Sequence, residues 1–340
     1  RMSEMRYNVA TRDWVVVAPE RARRPEDFHA TRPTTTADRP AHRADCPFCP
    51  GSEDNTPGET LRLCDSQDRW LVRSFPNRYP ALTAEPEEGR PLGGLFQRRR
   101  FGSGVHEVVA ESRFHNVTLA LQSEAEVELV LRAWQTRSLE LFNKRELEHL
   151  VVFKNHGVSA GSSLEHTHSQ IIGLPVLPSS VRRRFDDAFR FFQKGKGCLF
   201  CEMVRAEAED GVRVVAESYG FLAFVPFASD SPYSVWIVPK RHCHCFALSE
   251  RSELRELAGV VKQVLARLYA GLRDPDYNLI VRSANPPGPG THFFHWYITV
   301  VPRLSRMAGF ELGTGMFIRS SLPEADAAYL RGVQLADSAP

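Results

Sequence analysis

The 340-residue sequence lacks any long apolar segment and any strong excess of charge of one sign. No uninterrupted apolar run approaches the roughly 18 to 20 residues that a helix needs to span a membrane. The 43 basic and 41 acidic residues nearly cancel, so no broad electrostatic field demands nucleic acid or an anionic membrane as partner. The first residues, RMSEMRYNVATRDW, contain no apolar signal-peptide core, so we expect a cytoplasmic location with neither nucleic acid nor membrane as partner.

Cysteine is scarce, and its arrangement argues against a disulfide framework. An odd count of seven in an apparently cytosolic chain indicates thiolate ligands instead. Four of the seven form two matching pairs, Cys46-Pro-Phe-Cys49 and Cys198-Leu-Phe-Cys201. Cys64 is expected to be an ordinary core or surface thiol.

The same order of features follows each cysteine pair, which indicates a diverged duplication. After the first pair come His115, an amphipathic helix, a strand, a glycine- and serine-rich loop, and a strand that begins near His166. After the second pair come His242, a helix, a strand, a Gly/Pro-rich loop, and a strand that begins near His295. The interval between the two histidines is nearly the same in both halves. We therefore predict an N-terminal half over residues 1–178 and a C-terminal half over residues 179–340.

The apolar pattern predicts one long helix in each half, over residues 123–144 and 249–272. Ser123 and Glu126 are spaced as a capping box at the start of the first helix. Strands interrupted by one helix per half predict an α+β fold, in which helices pack on an antiparallel sheet that continues through both halves. The segment between Pro178 and Lys196 is predicted to be a connecting amphipathic helix, and the Pro/Thr-rich residues 32–43 a loop.

The motif HTHSQ, from His166 to Gln170, runs into an apolar pair and is predicted to be a strand. Alternation along a strand places His166, His168 and Gln170 on one face. Three polar side chains on one face are hard to bury for packing alone, although an exposed polar face is the alternative. A neutral imidazole is a good nucleophile at phosphorus, and a neighbouring amide donor stabilises charge that develops during transfer.

The loop that precedes this strand also indicates phosphate binding. It begins at Asn155 and contains Gly161, Ser162 and Ser163. Such a loop offers backbone N–H groups and hydroxyls to a phosphate, although a plain turn explains the composition equally well. The pairing of this loop with HTHSQ is the stronger signal.

Together these motifs resemble a known family. HxHxQ after FxNxG, with an upstream CxxC and an ESxxH histidine, is similar to the galactose-1-phosphate uridylyltransferase branch of the histidine-triad superfamily. The similarity covers nearly the whole chain, from PERARRP near the start to GFELGTG near the end. The paired CxxC motifs most resemble the two-zinc members of this branch, which include bacterial uridylyltransferases and ADP-glucose phosphorylase.

The resemblance implies a role for most of these residues. His168 is the expected nucleophile, which forms a covalent nucleotidyl-histidine, and Gln170 is expected to hold the transferred phosphoryl group. Further substrate contacts are expected at Arg21, Arg24, Asn77, Asn155, Gly161, Ser162, Ser163, Phe310 and Glu311. For the arginines the alternative is a solvated basic turn, and for the last two residues a glycine turn between strands.

Two Cys₂His₂ sets fit the same family and predict two structural zinc ions per chain. The first set is Cys46, Cys49, His115 and His166, and the second is Cys198, Cys201, His242 and His295. A single CxxC pair is also compatible with redox or plain structural cysteines. His242 lies beside Cys243, His244 and Cys245, which are alternative ligands, but the internal repeat favours His242.

The two halves differ at the chemical positions, since Tyr297 and Thr299 align with His168 and Gln170. One active site per chain follows. We predict ping-pong transfer of a nucleotidyl group from a nucleotide sugar, of the hexose-1-phosphate uridylyltransferase type, with a sugar 1-phosphate as acceptor. The nearest alternative is ADP-glucose phosphorylase, with phosphate as acceptor. A zinc-binding scaffold would keep the cysteines but has no use for HTHSQ. The resemblance also implies a homodimer, and the base, sugar and acceptor stay open.

Overall fold

The structure, a computed structural model, describes residues 2–21, 34–84, 96–97, 99, 101–144, 147–285 and 291–335. In chain order the strands are β1 (Glu4–Tyr7), β2 (Trp14–Val17), β3 (Leu61–Cys64), β4 (Trp70–Pro76), β5 (Val105–Ala110), β6 (His149–His156), β7 (His168–Leu174), β8 (Val214–Glu217), β9 (Phe221–Phe224), β10 (Val235–Pro239), β11 (Tyr277–Arg282), β12 (Tyr297–Pro302) and β13 (Phe317–Arg319). The helices are α1 (Glu124–Lys144), α2 (Ser179–Phe191), α3 (Leu199–Asp210), α4 (Arg251–Leu272), α5 (Gly309–Thr314) and α6 (Pro323–Gly332).

Ten of these strands form one continuous sheet, in the order β3-β4-β5-β7-β6-β11-β12-β10-β9-β8. Every described ladder in it is antiparallel. The first five strands belong to the N-terminal half and the last five to the C-terminal half, and β6 pairs with β11 where the halves meet. A separate small sheet has the order β1-β2-β13. The α+β class and the continuous sheet are therefore confirmed.

The long helices α1 and α4 pack against each other and against one face of the large sheet. We call this the helix face and the opposite side the open face. Ile171 points into the helix-face core, and Trp134 of α1 donates from Nε1 to Ser169 Oγ at 2.6 Å. Because side chains alternate along β7, the neighbours Gln170 and His168 point to the open face. The alternation along β7 therefore places the side chains of His168 and Gln170 on the face that α1 and α4 do not cover.

The start of α1 confirms the predicted capping box. The Ser123 N–H donates to Glu126 Oε2 at 2.8 Å, and the Glu126 N–H donates back to Ser123 Oγ at 3.3 Å. α4 begins at Arg251, two residues later than predicted, because the Glu250 N–H donates to Glu253 and forms the cap there. β4 extends to Pro76, since residues 73–76 pair with β5.

The chain crosses between the halves through α2, as the sequence predicted. Beyond Phe191 the helix loosens into a π-helical turn, Phe192–Lys196, in which Gly195 has a φ of 71°. The helix α3, the short helices α5 and α6, and the small sheet were not predicted. None of the helices in the described part of the chain is long and apolar enough to cross a membrane.

Candidate active site

The first Cys₂His₂ set comes together at the end of the sheet where β7 begins. His166 Nδ1 lies 3.6 Å from Cys46 Sγ and 3.5 Å from Cys49 Sγ, and His115 Nδ1 lies 3.7 Å from Cys49 Sγ. All four side chains are buried, and their ligand atoms lie within 4.8 Å of one another. A tetrahedral zinc ion with N and S ligands has ligand-to-ligand distances of about 3.4 to 3.8 Å. The observed spacing fits such an ion.

Hydrogen bonds and protonation prepare these residues for a metal. His166 Nε2 donates to the Ser112 carbonyl oxygen at 2.8 Å, so the Nδ1 lone pair points toward the cysteines. Burial lowers the pKa of His166 to about 4, which keeps the ring neutral. Burial also raises the pKa of the Cys49 thiol to about 11, since it disfavours the charged thiolate more than the neighbouring Arg43 favours it. The donor chemistry fits a thiolate-binding divalent ion.

The second set repeats this arrangement in the C-terminal half. Cys201 Sγ lies 3.5 Å from Nδ1 of both His242 and His295, and Cys198 Sγ lies 3.7 Å from His295 Nδ1. His295 Nε2 donates to the Pro239 carbonyl oxygen at 2.9 Å, in parallel with His166. His242 is the fourth member, as the internal repeat favoured, and it is exposed. This set is therefore more open to solvent than the first.

His168 is held as a neutral imidazole with one nitrogen left for chemistry. Its Nδ1 lies 2.8 Å from the His166 carbonyl oxygen, which only accepts, so Nδ1 carries the proton and Nε2 keeps its lone pair. Burial lowers the pKa of His168. The edge of Phe48 packs against the ring at a centroid distance of 5.5 Å. A buried, oriented and neutral imidazole is the state that a nucleophile at phosphorus requires.

Gln170 is oriented by a residue that the sequence reasoning missed, His106 on β5. His106 Nδ1 accepts the Ala81 N–H at 3.0 Å, so the ring proton is on Nε2, which donates to Gln170 Oε1 at 2.7 Å. This bond leaves the NH₂ end of the Gln170 amide as the donor for a phosphoryl oxygen. Asn77 lies in the same cluster, with Nδ2 3.1 Å from His106 Nε2. No pattern in the sequence marked His106, because its place beside Gln170 follows from the register of β5 and β7, in which Val108 pairs with Gln170.

A cleft of about 430 Å³ opens beside His168. It brings His168 together with three other expected residues, Asn155, Ser162 and Ser163. It also includes residues that the sequence reasoning did not name, among them Thr34, Asp38, Arg39, His156 and Glu165. The size lies within the range of small-molecule sites in proteins.

The glycine-rich loop in this cleft is not the open nest of N–H groups that was expected. The N–H groups of Ala160, Gly161 and Ser162 donate to carbonyl oxygens within the loop. The Ser159 N–H donates to Asp276 Oδ2 at 2.6 Å. These N–H groups bond within the loop because Gly157 and Gly161, with positive φ values of 83° and 89°, turn the backbone tightly. Any phosphate contact from this loop must come from groups other than the N–H groups of residues 159–162, such as its side chains.

The C-terminal half holds this loop in place. Asn278 Nδ2 donates to Asn155 Oδ1 at 2.8 Å and to the Ala160 carbonyl oxygen at 2.9 Å. Asn278 lies on β11, next to β6, so the contact depends on the junction of the two halves. The second half thus holds one wall of the cleft through Asn278.

Among the described residues, Phe310 and Glu311 were expected to contact substrate but do not line this cleft. Phe310 and Glu311 lie in α5, a short helix at the small sheet, and α5 contributes nothing to the cleft lining. The segment is a helix rather than a turn because Glu311 caps it, accepting the Ala308 N–H at 2.9 Å. The backbone of Arg21 ends a single 3₁₀ turn. Arg24 lies outside the described residues.

The position equivalent to His168 in the second half is part of the apolar core. Tyr297 is buried, with ring centroids 4.7 Å from Phe200 and 4.8 Å from Trp236. Its hydroxyl accepts from Arg184 Nη1 at 3.4 Å. Thr299 is also buried. A packed phenol replaces the imidazole here.

Comparisons with known proteins agree with this geometry. Residues 1–178 match the family model described as galactose-1-phosphate uridyl transferase, N-terminal domain. The chain is 34% identical to an ADP-glucose phosphorylase of Arabidopsis thaliana over 98% of this chain and 93% of that protein. It is 31% identical to a galactose-1-phosphate uridylyltransferase of Thermotoga maritima over 98% and 99% of the two chains. A crystal structure of the Arabidopsis phosphorylase with bound ADP-glucose superposes with a TM-score of 0.82, at 31% identity over 99% of this chain and 100% of that chain.

Proposed function

Because the chain belongs to the galactose-1-phosphate uridylyltransferase family and is a nucleotidyltransferase, we propose that His168 carries the nucleotidyl group during transfer. The supporting observation is the state of His168, whose proton is fixed on Nδ1 while Nε2 stays unprotonated beside the cleft. Nε2 attacks the α-phosphorus of a nucleoside diphosphate sugar, and the bond from that phosphorus to the bridging oxygen breaks. The sugar 1-phosphate leaves with the bond electrons.

In the second step an acceptor oxygen attacks the same phosphorus, and the bond to Nε2 breaks. The Gln170 NH₂ group donates to a phosphoryl oxygen in both steps, since His106 occupies the amide oxygen. No proton has to move at His168, because the attacking Nε2 carries none and Nδ1 keeps its proton in both steps. This accounts for the need for a neutral imidazole.

We propose that the donor is ADP-glucose and the acceptor is inorganic phosphate. Support comes from the relatives, since the ADP-glucose phosphorylase matches at 34% identity and its structure with ADP-glucose has the same fold over almost the whole chain. The uridylyl type, with UDP-glucose as donor and a hexose 1-phosphate as acceptor, is the second candidate. It is supported by the 31% identity to the Thermotoga uridylyltransferase.

We further propose that both Cys₂His₂ sets hold zinc. Zinc would keep the paired thiols ionised and fix the tetrahedral arrangement of their side chains. In the first set, His166 directly precedes Thr167 and the nucleophile strand, so its anchorage restrains the backbone of His168. The exposed segment with Phe310 and Glu311 is proposed to reach the sugar from a second copy of the chain, since it contributes nothing to the cleft of its own.

The test is transfer of label to the protein. Wild-type enzyme is incubated with ADP-glucose or UDP-glucose labelled in the α-phosphate, quenched, and assayed for acid-labile label. We expect faster labelling from ADP-glucose, and release of the label as ADP on addition of phosphate. Faster labelling from UDP-glucose, with release by a hexose 1-phosphate, would select the second candidate.

The matched variants are His168→Ala and His168→Gly. His168→Ala should lose label and turnover while the fold persists, and His168→Gly should regain turnover with free imidazole. A His168→Ala enzyme that keeps turnover within about tenfold of wild type would reject the covalent mechanism.

A further inference from the structure

A buried ion pair lies on the helix face directly behind the nucleophile. Lys154 of β6 and Glu111, which follows β5, are each 1% exposed. Lys154 Nζ donates to Glu111 Oε2 at 2.6 Å. Since β7 lies between β5 and β6, the two side chains meet beneath the first residues of β7. The pair therefore joins both neighbours of the strand that carries His168.

The same two residues also bind the backbone of that strand. Lys154 Nζ donates to the His168 carbonyl oxygen at 3.1 Å and to Thr167 Oγ1 at 2.9 Å. Thr167 Oγ1 donates to Glu111 Oε2 at 2.6 Å, and the Glu111 N–H donates to the Thr167 carbonyl oxygen at 3.2 Å. The peptide groups on both sides of the His168 Cα are thus held by this pair.

Stability alone gives no reason for charges at this position. The surrounding helix face is an apolar core, to which Val152 and Ile171 belong. Removing two charges from water is costly, and replacing a buried ion pair by apolar residues of similar volume is often neutral or stabilising. Leucine and methionine would fill this space without that cost. What distinguishes this pair is its hydrogen bonds to Thr167 and to the His168 carbonyl oxygen, which apolar residues could not make.

We infer that Lys154 and Glu111 are positioning residues that fix the backbone of His168 for attack on phosphorus. The His166 carbonyl oxygen, which orients the His168 ring, belongs to the peptide bond that joins His166 to Thr167. Movement of Thr167 or His168 by a fraction of an ångström therefore displaces Nε2 and changes the ring orientation together. Displacement of a reacting atom by about 1 Å costs on the order of 100-fold in rate. This inference rests on the proposed function, in which His168 is the nucleophile.

The test removes both charges at once, in the double variant Glu111→Met/Lys154→Met. Because no buried charge is left unpaired, we expect a melting temperature close to wild type. We expect kcat to fall on the order of 100-fold while KM changes much less, since Lys154 borders the cleft but is only 1% exposed. Glu111→Gln/Lys154→Met is the second variant if the first does not fold, and it should lose a similar factor because the bond to the His168 carbonyl is absent in both.

The matched control is the pair Arg137–Glu107, which is also buried between α1 and the sheet. Arg137 Nη2 lies 2.6 Å from Glu107 Oε1, and none of its described hydrogen bonds goes to β7. The variant Glu107→Met/Arg137→Met should change stability similarly but keep kcat near wild type. An equal fall of kcat in this control would show a general effect of packing and overturn the inference.

A second readout separates positioning from structure. In a His168→Gly background the nucleophile is free imidazole, which has no covalent link to the backbone that Lys154 holds. Adding Glu111→Met/Lys154→Met to this background should leave the imidazole-dependent rate within about threefold. A further loss on the order of 100-fold would overturn the inference. If wild-type enzyme itself forms no labelled intermediate, the proposed function fails. If wild type labels and the double variant labels equally fast, only the positioning role fails.

Discussion

The bond between His106 and Gln170 gives the sharpest test of how the site stabilises the transition state. His106→Leu removes the donor to Gln170 Oε1, a bond of 2.7 Å. A neutral hydrogen bond contributes about 0.5 to 1.5 kcal/mol, and without it the amide can present either end to the phosphoryl group. We therefore expect kcat/KM for the labelling step to fall about tenfold, which corresponds to about 1.4 kcal/mol. His106→Gln keeps a donor and should retain more activity than His106→Leu.

A double-variant cycle identifies the path of this effect. Gln170→Ala should lose on the order of 100- to 1000-fold, as expected for a donor to developing charge. Once Gln170 is absent, His106→Leu should cost almost nothing more. The assay is single-turnover labelling at several substrate concentrations, with His149→Leu, a buried histidine of β6, as the control that should keep the rate. Multiplicative effects of the His106 and Gln170 variants would refute the proposed orientation of the amide.

Three further predictions follow from other contacts. Purified protein should contain about two zinc ions per chain. The Cys46→Ser variant should contain about one zinc ion fewer and melt at a lower temperature. Metal analysis that finds no zinc in the wild-type protein would reject the metal assignment. Glu311→Ala and His168→Ala should each be impaired, and mixing them should restore activity if α5 serves a second copy; mixtures with no gain would leave the sugar contact unsupported. Burial raises the pKa of Asp274, but hydrogen bonds from His156 and Thr36 outweigh it and bring the pKa to about 2, below the ordinary 3.8. Because this folded-state pKa is depressed, the stabilisation of about 2 kcal/mol is present above pH 3.8 and disappears as pH falls through about 2. Asp274→Asn should therefore differ from wild type in urea unfolding at pH 7 but much less near pH 2, and a constant difference would contradict this.

The duplication and the eight members of the two Cys₂His₂ sets were visible in the sequence because they depend on order and spacing. A CxxC pair, a later histidine and a histidine-bearing strand recur in both halves, and a duplicated chain folds each copy in a similar way. The faces of the two long helices were also predictable, since an apolar stripe must be buried wherever the helix packs. The capping box at Ser123 is equally local. These features need no knowledge of distant contacts.

Only the tertiary structure decided which residues contact His168 and Gln170. His106, Lys154 and Glu111 lie far from HTHSQ or on other strands, and their contacts follow from the order β5-β7-β6 and its register. The sequence gives no register, and a shift by one residue would turn each of these side chains to the opposite face of the sheet. The glycine-rich loop shows the same limit, because its composition fits both a phosphate nest and a tight turn. Its N–H groups donate to carbonyl oxygens within the loop and to Asp276 of the other half. Asp276 comes within reach of the loop only when the two halves join at β6 and β11.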